Sequence, residues 1–249
     1  MADQTVFRLG ELFCGPGGLA CGALRSKSDD GTYAITHAWA NDYDEDTCNT
    51  YRKNICPDNP DSVYWGDVRE LDLPSLGEID AFCYGFPCNS FSNVGKHKGL
   101  ANEKFGQLYW YGIKVLKQYK PKWFMAENVS GIRSAGTGDF QIILNDMRKA
   151  GYKLNVNLYK AEQYGIAQTR HRVIIVGIRE DIPVEFHVPD PSQYTNCDIT
   201  SRTALENIPD NAPNNEIKKL SDKVIRRLSY INPGENVWQA EERLGDEFP

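Results

Sequence analysis

An α/β fold, with a mostly parallel sheet and helices on both of its faces, is what this sequence predicts. Three observations carry that expectation. Short apolar stretches rich in Val, Ile, Phe and Trp alternate with stretches whose apolar residues recur at helical spacing. The apolar stretches end in Gly or polar residues. Strands separated by helices in this way pair in parallel and are covered on both faces.

Taken in order, "TVFRLGELF" (5–13) reads as the first strand and "LACGAL" as the helix after it. "AITHAWAND" (34–42) is the second strand, and "DYDEDT" beyond it has the composition of a helix N-terminus. "IDAFCYGF" (79–86), "KWFMAEN" (122–128), "KLNVNLYKA" (153–161) and "RVIIVGI" (172–178) are further strands. In "GQLYWYGIKVLKQYK", Leu108, Tyr111, Val115, Leu116 and Tyr119 share one helical face, as do Phe140, Ile143, Leu144 and Met147 in "DFQIILNDMRKAGY". From about Pro189 the chain turns rich in Pro, Asn and Asp, with one short helical piece. "LSDKVIRRLSYI" reads as another helix, and the final "NPGENVWQAEERLGDEFP" has no recognisable structural ending.

The composition is that of a soluble globular protein, with 41% hydrophobic and 25% charged residues. No stretch approaches the roughly 20 apolar residues that span a bilayer, and "MADQTVFRLGELF" lacks the pattern of a secretory signal. Seven cysteines, an odd number without metal-ligand spacing, argue against a disulfide framework or a metal site and for a reducing, cytoplasmic setting. A net charge of -6 argues against a protein whose main business is gripping a polyanion.

Ligands of open α/β sheets bind where strands end, and the polar signals collect there. The first strand runs into "FCGPGG", Phe13, Cys14, Gly15, Pro16, Gly17 and Gly18. Glycines at a strand-to-helix turn let a ligand approach the backbone, and a plain tight turn is an equal reading. Asp42 and Tyr43 end the second strand. The acid suits ribose hydroxyls or a helix cap. Asp67, with Val68 after it, suits an adenine amino group or caps a turn. Cys88 follows Gly85 and Pro87 at a strand end, a held position of the kind a nucleophilic thiol needs. The segment after it, "NSFSNVGKHKG", carries Ser90, Ser92, Asn93, Lys96 and Lys98 and suits a loop over an anionic substrate. Glu127, at the end of an apolar strand, suits a proton donor. Arg170 and Arg172 in "QTRHR" share a face if extended and could hold phosphate or a base oxygen. The bland alternatives are solvated arginines and a salt bridge from Glu127 to one of them.

In this order these residues resemble the C5-cytosine-specific DNA methyltransferase family. "FCGPGG" is similar to that family's F-x-G-x-G-G motif, "GFPCNSFS" to its nucleophile motif, "ENV" to its glutamate motif and "QTRHR" to Q-x-R-x-R. Asn89 stands where Gln is usual, and Cys14 where Ala is common. The resemblance implies a Rossmann-like, S-adenosylmethionine-dependent methyltransferase fold, a double-stranded DNA substrate and a flipped cytosine. It implies catalysis by Cys88, Glu127, Arg170 and Arg172. The cofactor is expected against residues 13–18, Asp42, Tyr43, Asp67, Val68, Gly85 and Pro87, and DNA on the loop after Cys88. Residues 1–188 would form the catalytic and cofactor-binding domain, and 189–249 a bridge toward a target-recognition domain absent from this chain. The chain thus resembles the larger (alpha) subunit of a split, AquI-type bacterial restriction-modification methylase, or a truncated member. A second polypeptide would carry the recognition domain and the missing motifs. A tRNA cytosine-C5 methyltransferase and a non-catalytic, cofactor-binding regulatory homologue are the alternatives.

Overall fold

The computed structural model describes residues 4–87, 108–133, 138–213, 215–216 and 219–249. They divide into two units, Met1–Thr200 and Ser201–Pro249. The first contains β1 (Thr5–Leu12), α1 (Gly18–Arg25), β2 (Tyr33–Asp42), α2 (Glu45–Asn54), β3 (Val63–Trp65), β4 (Ala81–Tyr84), α3 (Tyr109–Tyr119), β5 (Trp123–Val129), α4 (Asp139–Lys149), β6 (Tyr152–Lys160) and β7 (His171–Arg179).

Alternation along the strands sorts the side chains into two cores. Leu12, Trp39, Phe82, Tyr84 and Phe124 point to one face, where Ile113 and Leu116 of α3 and Ile143 and Met147 of α4 close over them. Leu9, Ala40, Ala81 and Cys83 point to the other, under Ala20 of α1 and Cys48 and Tyr51 of α2. Helices therefore cover both faces, as the sequence predicts. Gly112 lets α3 seat closely on β4, since a Cβ there would run into the Tyr84 ring.

The seven strands lie in the order β3-β2-β1-β4-β5-β7-β6. All neighbours are parallel except β7, which runs antiparallel to both β5 and β6. This is the mostly parallel, Rossmann-like arrangement expected. β3 is an addition to the predicted strands, because three residues are too few to show a period. The reversal of β7 matters for function. It brings the start of β7 to the same edge as the ends of β1, β2, β4 and β5, with Arg172 opposite Val129.

Beyond β7, a turn at Pro191–Tyr194 packs on the turn at Ala161–Tyr164, with the Tyr164 and Tyr194 rings 6.2 Å apart. The second unit holds α5 (Ser201–Leu205), α6 (Asp222–Leu228) and α7 (Val237–Leu244). The last of these falls where the sequence shows no structural ending, yet "NVWQ" carries its start signal. Asn236 and Gln239 form a reciprocal capping box. Arg243, in the last turn of this helix, pairs at 2.8 Å with Glu235, which lies just ahead of the N-cap. Among the described residues no helix is long and apolar enough to cross a membrane.

Candidate active site

Glu127, near the end of β5, pairs with Ile174 on β7, and Arg172, two residues from Ile174, lies diagonally across on the same face. Its Oε1 is 2.7 Å from Arg172 Nε and 3.3 Å from Arg170 Nη2. The guanidiniums thus hold one carboxylate oxygen and leave the other to face elsewhere. Oε2 lies 3.6 Å from where a Cβ on Gly85 would be, an ordinary contact distance, so the carboxylate stands directly beside the Gly85 backbone. Three residues singled out from two separate stretches of sequence therefore meet at one point, beside Gly85. The salt bridge foreseen as the bland reading of Glu127 is present, and it is made to both arginines.

The segment leading to Cys88 is fastened to this cluster. Asn128, only 3% exposed, donates from Nδ2 to the Phe86 carbonyl at 3.1 Å, and its Oδ1 accepts from Val129 N at 2.9 Å. Phe86 is buried and Pro87 half-buried. Cys88, Ser90, Ser92, Asn93, Lys96 and Lys98 lie outside the described residues.

At the end of β1 the backbone turns sharply. Phe13 has φ 55°, a left-handed value that a bulky side chain rarely adopts, and its ring packs against the core. Gly17 has φ 97° and caps α1, and a Cβ there would lie 2.7 Å from Ile55. Only glycine fits. At Gly15 and Gly18, by contrast, nothing lies within 4 Å of a would-be Cβ, so the backbone is open to a ligand. Cys14 is buried, with burial holding its thiol protonated, and Pro16 is exposed.

Asp42 ties this turn to β2. Its Oδ2 accepts from Gly15 N at 2.7 Å and its Oδ1 from Asp44 N at 3.0 Å. The helix cap that "DYDEDT" promised belongs to Asp44, which accepts from Thr47 N at 2.8 Å. Asp42 is thereby free of the capping role and available to the turn. Tyr43, Trp65, Gly66 and Asp67 line an open cavity of about 650 Å³ between the ends of β2 and β3. Asp67 is already gripped by Arg69, whose Nε and Nη2 lie 2.9 and 2.5 Å from its two oxygens. That hydrogen-bonded pair holds the Asp67 carboxyl below its ordinary range. The Val68 side chain is in the core, 4% exposed, so only its backbone could face a ligand.

Two residues here escape a reading by motif. Trp65 is exposed on the cavity wall. Glu11, 1% exposed, sits on β1 just ahead of the glycine turn and accepts from Tyr51 OH at 3.1 Å. An acid inside the apolar run "RLGELF" was the available signal for Glu11. For Trp65 there was none beyond a large aromatic close to Asp67.

M.BbvI of Brevibacillus brevis, a Type II methyltransferase, is 52% identical over 244 residues, covering 93% of this chain and 65% of that protein. M.NgoFVII of Neisseria gonorrhoeae, also a Type II methyltransferase, is 36% identical over 234 residues, covering 90% of this chain and 59% of that protein. The chain thus spans about three-fifths of the length of these relatives. A crystal structure of a Spodoptera frugiperda DNMT2 mutant shares the fold, with a TM-score of 0.62 at 17% identity, over 90% of this chain and 66% of that one. The family model described as C-5 cytosine-specific DNA methylase matches residues 7–244, nearly the whole chain, and the protein belongs to that family.

Proposed function

We propose that this chain is the catalytic part of an enzyme that methylates C5 of cytosine in a specific double-stranded DNA sequence, with S-adenosylmethionine as methyl donor, in a bacterial restriction-modification system. The observation that carries the reading is the Glu127–Arg170–Arg172 cluster beside Gly85, one hydrogen bond away from the segment that delivers Cys88.

The residues fit the cofactor. Gly15 and Gly18 leave room at the backbone, Asp42 stands at the turn with carboxylate lone pairs for ribose hydroxyls, and Tyr43 offers an exposed ring over an open cavity. Asp67 fits less directly, because an adenine amino group would have to share its carboxylate with Arg69. When bound, S-adenosylmethionine supplies an electrophilic methyl group on a sulfonium.

The chain's residues then have these tasks. Cytosine C5 is a poor nucleophile, so the Cys88 thiolate adds to C6 of a base flipped out of the duplex. The ring's electron pair moves toward C5, which takes the methyl group. Glu127 holds N3 and the exocyclic amine, stabilising the activated ring. Arg172 and Arg170 fix the carboxylate and can reach the base oxygen. Loss of the C5 proton to a base and departure of the thiolate restore the aromatic ring. Lys96 and Lys98 supply positive charge toward the DNA, and a second polypeptide supplies target recognition and further basic surface, which offsets the charge of -6.

Asp42→Ala is expected to weaken cofactor binding by roughly 1–3 kcal/mol, because a part-buried hydrogen-bond acceptor is lost. Asp42→Asn, which keeps an acceptor for Gly15 N, should lose less. Calorimetry with S-adenosylhomocysteine checks both, and unchanged affinity in Asp42→Ala would leave this acid with the turn alone.

The reading as a whole is tested by tritiated methyl transfer to duplex DNA and to tRNA, using the chain alone and with the product of the adjoining reading frame. Duplex DNA should be labelled, and only with both polypeptides. Labelling of tRNA alone would replace the substrate, and sequence-specific labelling by the lone chain would remove the second polypeptide. Duplex DNA containing 5-fluorocytosine, whose C5 has no removable proton, should trap an adduct that peptide mapping places on Cys88.

A further inference from the structure

Trp65 is the last residue of β3, a three-residue strand at the sheet edge, and its side chain is 56% exposed. So large an apolar surface in water on a short edge strand contributes little to the core. The indole is nevertheless held in place. Its Nε1 donates to the Tyr43 carbonyl at 3.1 Å, and the next residue, Gly66, donates from its N–H to the Asp42 carbonyl at 3.0 Å. Buried Asn41 adds two more ties, from Nδ2 to the carbonyls of Tyr64 and Gly66 at 2.8 and 3.1 Å. The end of β3 is thus stitched to the end of β2 at Asn41, Asp42 and Tyr43. These ties limit the movement of an exposed side chain before any ligand arrives, which reduces the entropy cost of binding. Trp65 and Tyr43 line the same open cavity.

We propose that Trp65 is a purine-positioning residue, its indole forming an aromatic wall of the adenine subsite and its Nε1–H fixing the backbone of Tyr43. The proposal rests on the reading above that an adenosyl cofactor binds at this edge of the sheet. An aromatic wall suits a flat heteroaromatic ring, and its contribution is independent of the ribose and methionine portions of the ligand. The Asp67 carboxylate, in the same cavity, supplies an acceptor for the ring's amino group, so the cavity combines a stacking surface with polar recognition.

The test uses the whole chain and S-adenosylhomocysteine. In the free protein, N-bromosuccinimide should oxidise Trp65, as peptide mass mapping would record. S-adenosylhomocysteine should protect Trp65 and leave the oxidation of Trp110, 38% exposed on α3, unchanged. Trp65→Phe should fold normally by circular dichroism, bind S-adenosylhomocysteine about tenfold more weakly by calorimetry, and lose the ligand-induced change in tryptophan fluorescence. Homocysteine added alone should protect nothing. If S-adenosylhomocysteine binds the wild type while Trp65 stays fully oxidisable, or Trp65→Phe binds with unchanged affinity and an unchanged fluorescence response, the proposal is overturned and the cofactor reading stands. If the ligand does not bind the wild type at all, the cofactor reading falls and the proposal with it.

Discussion

Cys88→Ser is expected to abolish methyl transfer while leaving the fold intact. At neutral pH a serine hydroxyl is almost wholly protonated and far less nucleophilic than a thiolate, so a loss of at least about a thousandfold follows from losing the covalent route. The fold has little at stake. The preceding residues are held by interactions that do not involve the thiol: Phe86 is 3% exposed, and its carbonyl is bound by Asn128. The measurement is tritium incorporation into duplex DNA by the complete enzyme, with thermal unfolding of the variant alongside. Turnover within a few-fold of wild type would remove Cys88 as the nucleophile. A collapsed melting temperature would mean that the cysteine is a packing residue, like Cys83 in the core of β4.

The carboxyl edge of the sheet was legible in the sequence because its signals are local. Each strand is marked by its own apolar run, and each run stops at a polar residue or a glycine. The rule that ligands gather where parallel strands end then places Gly15, Asp42 and Gly85 along one line without any knowledge of contacts. The arginines were harder to place. Their meeting with Glu127 depends on β7 running antiparallel between β5 and β6, and nothing in "RVIIVGI" states its direction. β3 went unseen for a different reason: "VYW" is too short for a period, and what recruits it is pairing of its backbone with residues 40–42. In α7 the signal was present, in Asn236 and Gln239, but among the surrounding Pro, Gly and Glu the segment shows no recognisable structural ending. Glu11 shows the limit most clearly. In sequence it looks like an ordinary break in a hydrophobic run; only the packing of α2 over β1 reveals that it is buried with Tyr51 as its partner.

That burial makes Glu11 a source of pH-dependent stability. Desolvation raises its pKa from 4.5 to about 8, only partly opposed by the hydrogen bond from Tyr51, and the nearby Asp42 charge raises it further. The thiols of Cys14 and Cys83 also lie within electrostatic reach, and neither brings a positive charge. Between pH 4.5 and about 8 the folded protein keeps a proton on Glu11 that the unfolded chain has released. Stability from this group is therefore complete below pH 4.5, falls as pH rises through the window, and is lost above about 8. At ~1.4 kcal/mol per pKa unit the whole window is worth about 5 kcal/mol, with about 2 kcal/mol of it above pH ~6.5. His37, linked to Tyr51 at 3.2 Å and pushed down to about 4 by burial, acts in the opposite sense below its ordinary value of 6.5. The range above that value consequently reads Glu11 without His37. Glu11→Gln has no proton to lose and can still accept from Tyr51 OH through its amide oxygen. Urea unfolding at about pH 6.5 and about pH 9 should show the variant gaining on wild type by about 2 kcal/mol between the two conditions. A difference between variant and wild type that does not change with pH would mean that Glu11 is ionised in the folded protein, with a cation or water reaching it beneath the glycine turn.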